Sequence, residues 1–229
     1  MAAVKAKKED VIVTNPLELK KVEITIVGDT PLIMHRWSEK AKKEMRDAQT
    51  GKAKGKQKKP KNPVDDFIQS IYWKSGKPEY PEDADEETCM KAFEEAIASG
   101  NAKFCFPVTA IKQAGISAAY RLGWVKNQMG LRGAFRIEGD ENNMVEIISD
   151  PPVMREDMVK VGMGTADLRY RGEFKNWKAT FTVIYNASNA DYSVETIINV
   201  LNAGGFTCGI GEWRPERDGD FGTFHVQQD

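Results

Sequence analysis

Two histidines and three cysteines are the only imidazoles and thiols in this chain of 229 residues. His35 follows an apolar stretch, Thr30-Pro31-Leu32-Ile33-Met34, and is followed by Arg36 and Trp37. An imidazole titrates near neutral pH and suits a general acid or base. Its cationic and aromatic neighbours equally suit a nucleic-acid contact, and that reading is preferred. No catalytic residue is therefore assigned, with His35 as the alternative. His225 falls within a final strand and reads as structural. Cys89, Cys105 and Cys208 are odd in number and far apart, which fits neither a disulfide framework nor paired zinc ligands. No metal and no cofactor are expected, and the thiols point to a reducing, cytoplasmic compartment.

The second chemically suggestive stretch runs from Cys208 to His225, with glycines at 209, 211, 219 and 222. Glycine allows positive φ and close backbone approach, so successive amides can be aimed at an anion. No Gly-Lys-Ser/Thr follows, as a Walker A loop requires, and no helix starts there, as a dinucleotide fingerprint requires. A bulged hairpin is the plainer explanation of the same glycines. Arg214 and Arg217 stand against Glu212, Glu216, Asp218 and Asp220, so any anion must be met by amides and the two arginines. Trp213 offers a face for a base or a side chain for the core.

Net charge is −1, but it is unevenly spread. Between Arg36 and Lys61 lie eleven basic and three acidic residues, so this segment carries +8 and the remainder −9. Lys40 and Lys43 belong to its first half. The second half holds Lys52, Lys54, Lys56, Lys58 and Lys59 among Gly, Pro and Gln, with no large apolar residue. It is expected to be a mobile loop over about 49–62 that lies along phosphates. Glu82 to Glu95 is the opposite pole, with seven acids and one lysine, and permits head-to-tail contact between copies. Leu168 to Lys175 alternates so that Arg169 and Arg171 share one strand face, with Tyr170 on the other. Both arginines are expected to contact phosphate.

These residues need a scaffold. At 41% hydrophobic and 29% charged, the chain can bury a core, and residues 1–229 are read as a single domain. No apolar run approaches the roughly 18–20 residues that span a bilayer, and the charged start lacks an apolar signal region, so no membrane partner is expected. Lys21–Gly28 alternates as a half-buried strand. Helices are expected from Ser38 to about Ala48, from Asn62-Pro63 through Ile71, from Glu86 to Ser99, and from Pro107 through Tyr120. A mostly helical insertion thus occupies about 63–100. Strands follow at Phe135–Glu138, Met144–Ile148, Val153–Val161, Leu168–Phe174 and Trp177–Tyr185, with Glu173–Asn176 as a hairpin turn. A helix through Val194 and Leu201 stops at Gly204-Gly205, and strands at Thr207–Gly211 and Phe221–Val226 close the chain. The pattern is α+β, an antiparallel sheet of ferredoxin-like or RRM-like plan with helical insertions and a C-terminal glycine-rich loop.

The first strand ending in Thr30-Pro31-Leu32-Ile33-Met34-His35, with the late helix and Gly209-Ile-Gly211 to Gly219-Asp-Phe-Gly222, resembles the RAMP superfamily of CRISPR proteins. The likeness covers about 60 residues at the two ends. It implies an RRM-like core, RNA as ligand, and a role like that of the repeating backbone subunits of antiviral effector complexes. Those assemble in copies along a guide RNA, so the implied partners are single-stranded RNA or DNA, copies of the chain, and other effector subunits. Two alternatives remain open. One is a phage or mobile-element relative that mimics such a subunit and inhibits a nucleoprotein complex. The other is a metal-free endoribonuclease using His35, with Tyr72, Lys40 or Lys43 in support.

Overall fold

The computed structural model describes residues 16–51, 61–161 and 164–228. Expectations for Lys52, Lys54, Lys56, Lys58 and Lys59 lie outside the described residues. Strand β1 (Leu19–Gly28) turns Ile24 and Ile26 into the core, as its alternation requires. Strand β2 (Leu32–Met34) follows, and helix α1 (Glu39–Gln49) is opened by Ser38, whose hydroxyl accepts from the Ala41 amide. Helix α2 (Pro63–Ser70) is capped by the Asn62 side chain, which accepts from the Val64 and Asp65 amides, and buries Val64, Phe67 and Ile68. Then come β3 (Trp73–Ser75), α3 (Glu86–Ala98), β4 (Lys103–Pro107) and α4 (Val108–Arg121). The chain continues through α5 (Met129–Ala134), β5 (Phe135–Ile137), β6 (Met144–Ile147), β7 (Val153–Val161) and β8 (Thr165–Phe174). It ends with β9 (Lys178–Asn186), α6 (Val194–Thr207) and β10 (Phe224–Val226).

The molecule is mixed α and β with antiparallel sheets. One sheet has the order β10-β1-β9-β5, a second β2-β8-β7 and a third β3-β4-β6. One apolar cluster, from Ile24 and Ile26 through Phe67, Phe106 and Ile111 to Val200 and Phe224, serves all three. Helices α4 and α6 pack on each other at their small residues: a Cβ on Gly204 would stand 2.5 Å from the Gly115 nitrogen. Trp177, fully buried, donates its indole N–H to the Thr30 carbonyl at 2.8 Å and packs edge-on to Phe224. That bond ties the end of β1 to the start of β9. No helix among the described residues is long and apolar enough to cross a membrane.

Several expected elements differ. Helix α6 runs through Gly204 and Gly205 to Thr207, because both glycines are contact points, against Gly115 and the Phe224 carbonyl, rather than stops. Thr207–Gly211 is consequently the helix end and a turn, not a strand. Glu173–Asn176 is not a hairpin, since β8 and β9 belong to different sheets; the hairpin partners are β7 and β8, paired from Val153↔Glu173 to Val161↔Thr165. The 32–34 stretch leaves the first sheet and pairs β8. Strand β3 and helix α5 were not expected from periodicity, both being too short to show one.

Candidate nucleic-acid interface

The loop after α6 is shaped by its glycines. Gly209, Gly211 and Gly222 have φ of +63°, +82° and +67°. The Glu212 amide donates to the Ile33 carbonyl at 3.0 Å and the Gly222 amide to the Pro31 carbonyl at 2.9 Å, so the loop lies on the β2 segment. A Cβ on Gly211 would stand 2.5 Å from the Ile33 oxygen, and one on Gly219 would stand 1.9 Å from the Trp213 oxygen. These close approaches are to the chain's own backbone. They hold the loop's open side at a fixed place relative to His35.

That open side forms one wall of a pocket of about 510 Å³, whose lining includes His35, Tyr72, Thr109, Gln113, Gly211 and Glu212. Pro107 opens α4 with no side-chain cap; the Val108 amide donates to the Asn143 carbonyl at 3.0 Å, and Thr109 and Ala110 of the same first turn line the pocket with no capping side chain. Such a helix start favours negative charge by its dipole and free N–H groups. The readable sign of it was Pro107 standing where Ser, Thr, Asp or Asn would cap, and the expected reading used Pro107 only as a helix start.

Ion pairs organise the pocket. Glu212 lies 3.7 Å from His35 Nδ1 and 3.4 Å from an Arg171 nitrogen. The His35 ring, then Arg171 and Arg214, hold its carboxyl below the usual range against the opposing effect of burial. Arg171 is 5% exposed, pairs with Asp157 at 3.2 Å, and leaves its Nε without a partner among the described residues. Arg155 extends the network to Asp157 at 2.7 Å and Glu173 at 3.0 Å, and stacks 4.5 Å from the Phe221 ring centre. Arg214 bonds Glu216 and the Gly211 carbonyl, both at 2.9 Å, and Arg121 adds a 3.0 Å pair to Glu216. Every carboxylate of the pocket therefore has a cation beside it. Burial pushes the Tyr72 hydroxyl above its ordinary value.

The structure thus brings His35, Gly209, Gly211 and Arg214 to one pocket. Arg36 sits beside it, its amide donating to the Ser70 carbonyl at 2.8 Å and its guanidinium held by Glu39 at 2.6 Å. Lys43 is exposed on α1, and Lys40 lies on the same helix. Trp213 and Arg217 are exposed on the loop's outer side. Arg169 and Arg171 share a face of β8, but they part in environment. Arg169 stays at the surface beside Asp167 at 2.9 Å, whereas Arg171 is buried among acids and faces the loop rather than solvent. Lys61 reaches the same hairpin, bonding Asp167 and, at 3.0 Å, the Leu168 carbonyl. The far end of the lysine-rich segment is thereby anchored next to Arg169. Sequence reasoning missed Asp157, which stands opposite Arg169 in the β7–β8 ladder and reaches Arg171 on the diagonal. His225, read as structural, is exposed and pairs with Asp29 at 2.6 Å. Among the described residues, no three His, Cys, Asp or Glu side chains are grouped to hold a metal ion.

Set against known proteins, the chain matches no protein-family model, and no curated protein matches it.

Proposed function

We propose that the protein binds single-stranded nucleic acid, RNA in preference to DNA, through the phosphate backbone, and that several copies load along one strand as RAMP-type backbone subunits do. The observation that carries this reading is the pocket in which the uncapped start of α4 and the glycine loop converge beside His35 and Arg36. Amides at a helix start recognise phosphate without reading a base. The fold supports the same reading. With β1, α4, β5, β9, α6 and β10 taken in chain order, the sheet order β10-β1-β9-β5 supports a ferredoxin-like βαββαβ plan, with the other two sheets read as insertions. Lys61, docked on β8, supports a second stretch of contact from the lysine segment to Arg169.

The test is binding to a labelled single-stranded RNA of about 40 nucleotides, and to the matching DNA, across a salt series. Each phosphate neutralised on a single strand contributes about −0.7 to the slope of log K against log salt, so replacing Lys52, Lys54, Lys56, Lys58 and Lys59 with alanine reduces that slope by about 3 to 4 if all five engage. Stepwise loading in sedimentation supports assembly, and no saturable binding to either strand ends the proposal. A second reading, metal-independent RNA cleavage, is favoured by His35 and Tyr72 lining one pocket with Glu212 beside the ring. It requires that His35→Ala abolish product formation while leaving binding largely intact.

A further inference from the structure

Strand β7 is the outer strand of the β2-β8-β7 sheet, nine residues long, and among the described residues nothing pairs with its outer edge. The direction of its free groups follows from β8. Gly172 donates its N–H to Ser70 Oγ at 3.0 Å, away from β7. Because N–H and C=O groups alternate sides along an antiparallel strand, Arg155, Asp157 and Val159 bond β8, and Met154, Glu156, Met158 and Lys160 turn theirs to the open edge. An unpaired edge of this length is a template for another strand. The side chains of these same four residues share one face, on which Met158 is 72% exposed, Leu168 opposite it 42% and Met154 41%. This apolar surface sits at the edge itself.

We infer that β7 pairs antiparallel with β7 of a second copy about a two-fold axis through Met158. The edge is self-complementary in this register. Glu156 stands opposite the partner's Lys160, Lys160 opposite the partner's Glu156, and the two Met158 side chains meet on the axis. The neighbouring registers are less favourable: an axis through Asp157 or through Glu156 sets that carboxylate against itself, and an axis through Val159 places Lys160 opposite Met158 and loses both Glu156–Lys160 pairs. In the favoured register, all three central pairs are hydrogen-bonded pairs, because Glu156, Met158 and Lys160 are the residues whose backbone groups point outward. A seam one strand wide is smaller than the roughly 1,200–2,000 Å² of a standard interface, so the dimer is concentration-dependent. It is independent of nucleic acid and is measured without it.

Met158→Cys tests the register directly. On the axis the two Cα atoms lie about 5.5 Å apart and the Cβ atoms of such a hydrogen-bonded pair about 5–5.5 Å, wider than the roughly 3.5–4.5 Å of a disulfide, so a short bifunctional maleimide is the suitable cross-linker. The chain's own Cys89, Cys105 and Cys208 are buried and do not compete. With that cross-linker Met158→Cys forms a covalent dimer, and Met154→Cys, off the axis on the same face, does so at least about tenfold more slowly. Sedimentation equilibrium gives the second measurement. Glu156→Lys weakens association about tenfold by placing lysine against lysine twice, and Glu156→Lys with Lys160→Glu restores it to within about threefold. A wild-type protein that stays monomeric at all concentrations overturns the inference. So does equal cross-linking at positions 154 and 158, or a charge exchange that fails to restore association.

Discussion

Replacing Arg171 with methionine separates a buried structural arginine from a phosphate-binding one. In the folded protein its guanidinium is 5% exposed and lies between Asp157, at 3.2 Å, and Glu212, at 3.4 Å. Removing one partner of a buried pair costs about 3–5 kcal/mol when the other charge is left alone. Two features reduce that figure here. Asp157 keeps Arg155 at 2.7 Å on its other oxygen, and the wild-type Arg171 already carries an Nε with no partner among the described residues, whose burial the substitution relieves. Glu212, more exposed, regains water. The expected loss is about 2–3 kcal/mol, read as a shift of the urea-unfolding midpoint at unchanged m-value. Arg171→Met with Asp157→Asn should lose less than the sum of the single changes, by about 1–2 kcal/mol, because both changes remove the same Arg171–Asp157 pair, which the sum counts twice. Arg169→Met is the comparison. Its side chain is 37% exposed beside Asp167, so stability should move by no more than about 0.5 kcal/mol while RNA binding becomes less salt-sensitive. An Arg171→Met protein as stable as wild type but weaker in RNA binding would refute the buried-network account and return Arg171 to the role its strand position first suggested.

Gly211→Ala places a Cβ 2.5 Å from the Ile33 oxygen at a φ of +82°, and should lower stability by about 1–3 kcal/mol and weaken RNA binding by displacing the loop. Gly133→Ala, with nothing within 4 Å of the new Cβ, should leave both within about 1 kcal/mol, and denaturation beside filter binding compares the two. Because the carboxyl of Glu212 is held below its ordinary 4.5, its contribution to stability is complete above that pH and disappears as pH falls through the lower folded value. Acid titrations of unfolding should therefore show a shallower acid limb for Glu212→Gln. Burial pushes the Cys105 thiol up to about 11 and raises Cys89 and Cys208 as well. Iodoacetamide at pH 8 should leave the native protein unlabelled and add three groups after unfolding, counted by mass spectrometry.

Much of the local structure follows from neighbours in the chain. The alternation of Val22, Ile24 and Ile26 marks β1, and Asn62-Pro63 before Val64, Phe67 and Ile68 marks α2, because a strand's faces and a helix cap depend on residues only a few positions apart. The same locality put Arg169 and Arg171 on one face, set Tyr170 opposite, and singled out the clustered glycines and His35. What it leaves open is what each face and each glycine meets. Gly204 and Gly205 read as a helix stop until Gly115 and the Phe224 carbonyl are found against them, and Glu173–Asn176 reads as a hairpin until β8 and β9 take partners in different sheets. Arg171 differs from Arg169 only because Asp157, fourteen residues earlier, and Glu212, forty-one residues later, close over it. The pocket itself joins His35, the start of α4 and the loop after α6, three segments that share no sequence neighbourhood. Periodicity reports how a side chain is directed relative to its own backbone; burial, pairing and the sharing of a pocket are set by segments far away in the chain, and only packing brings those together.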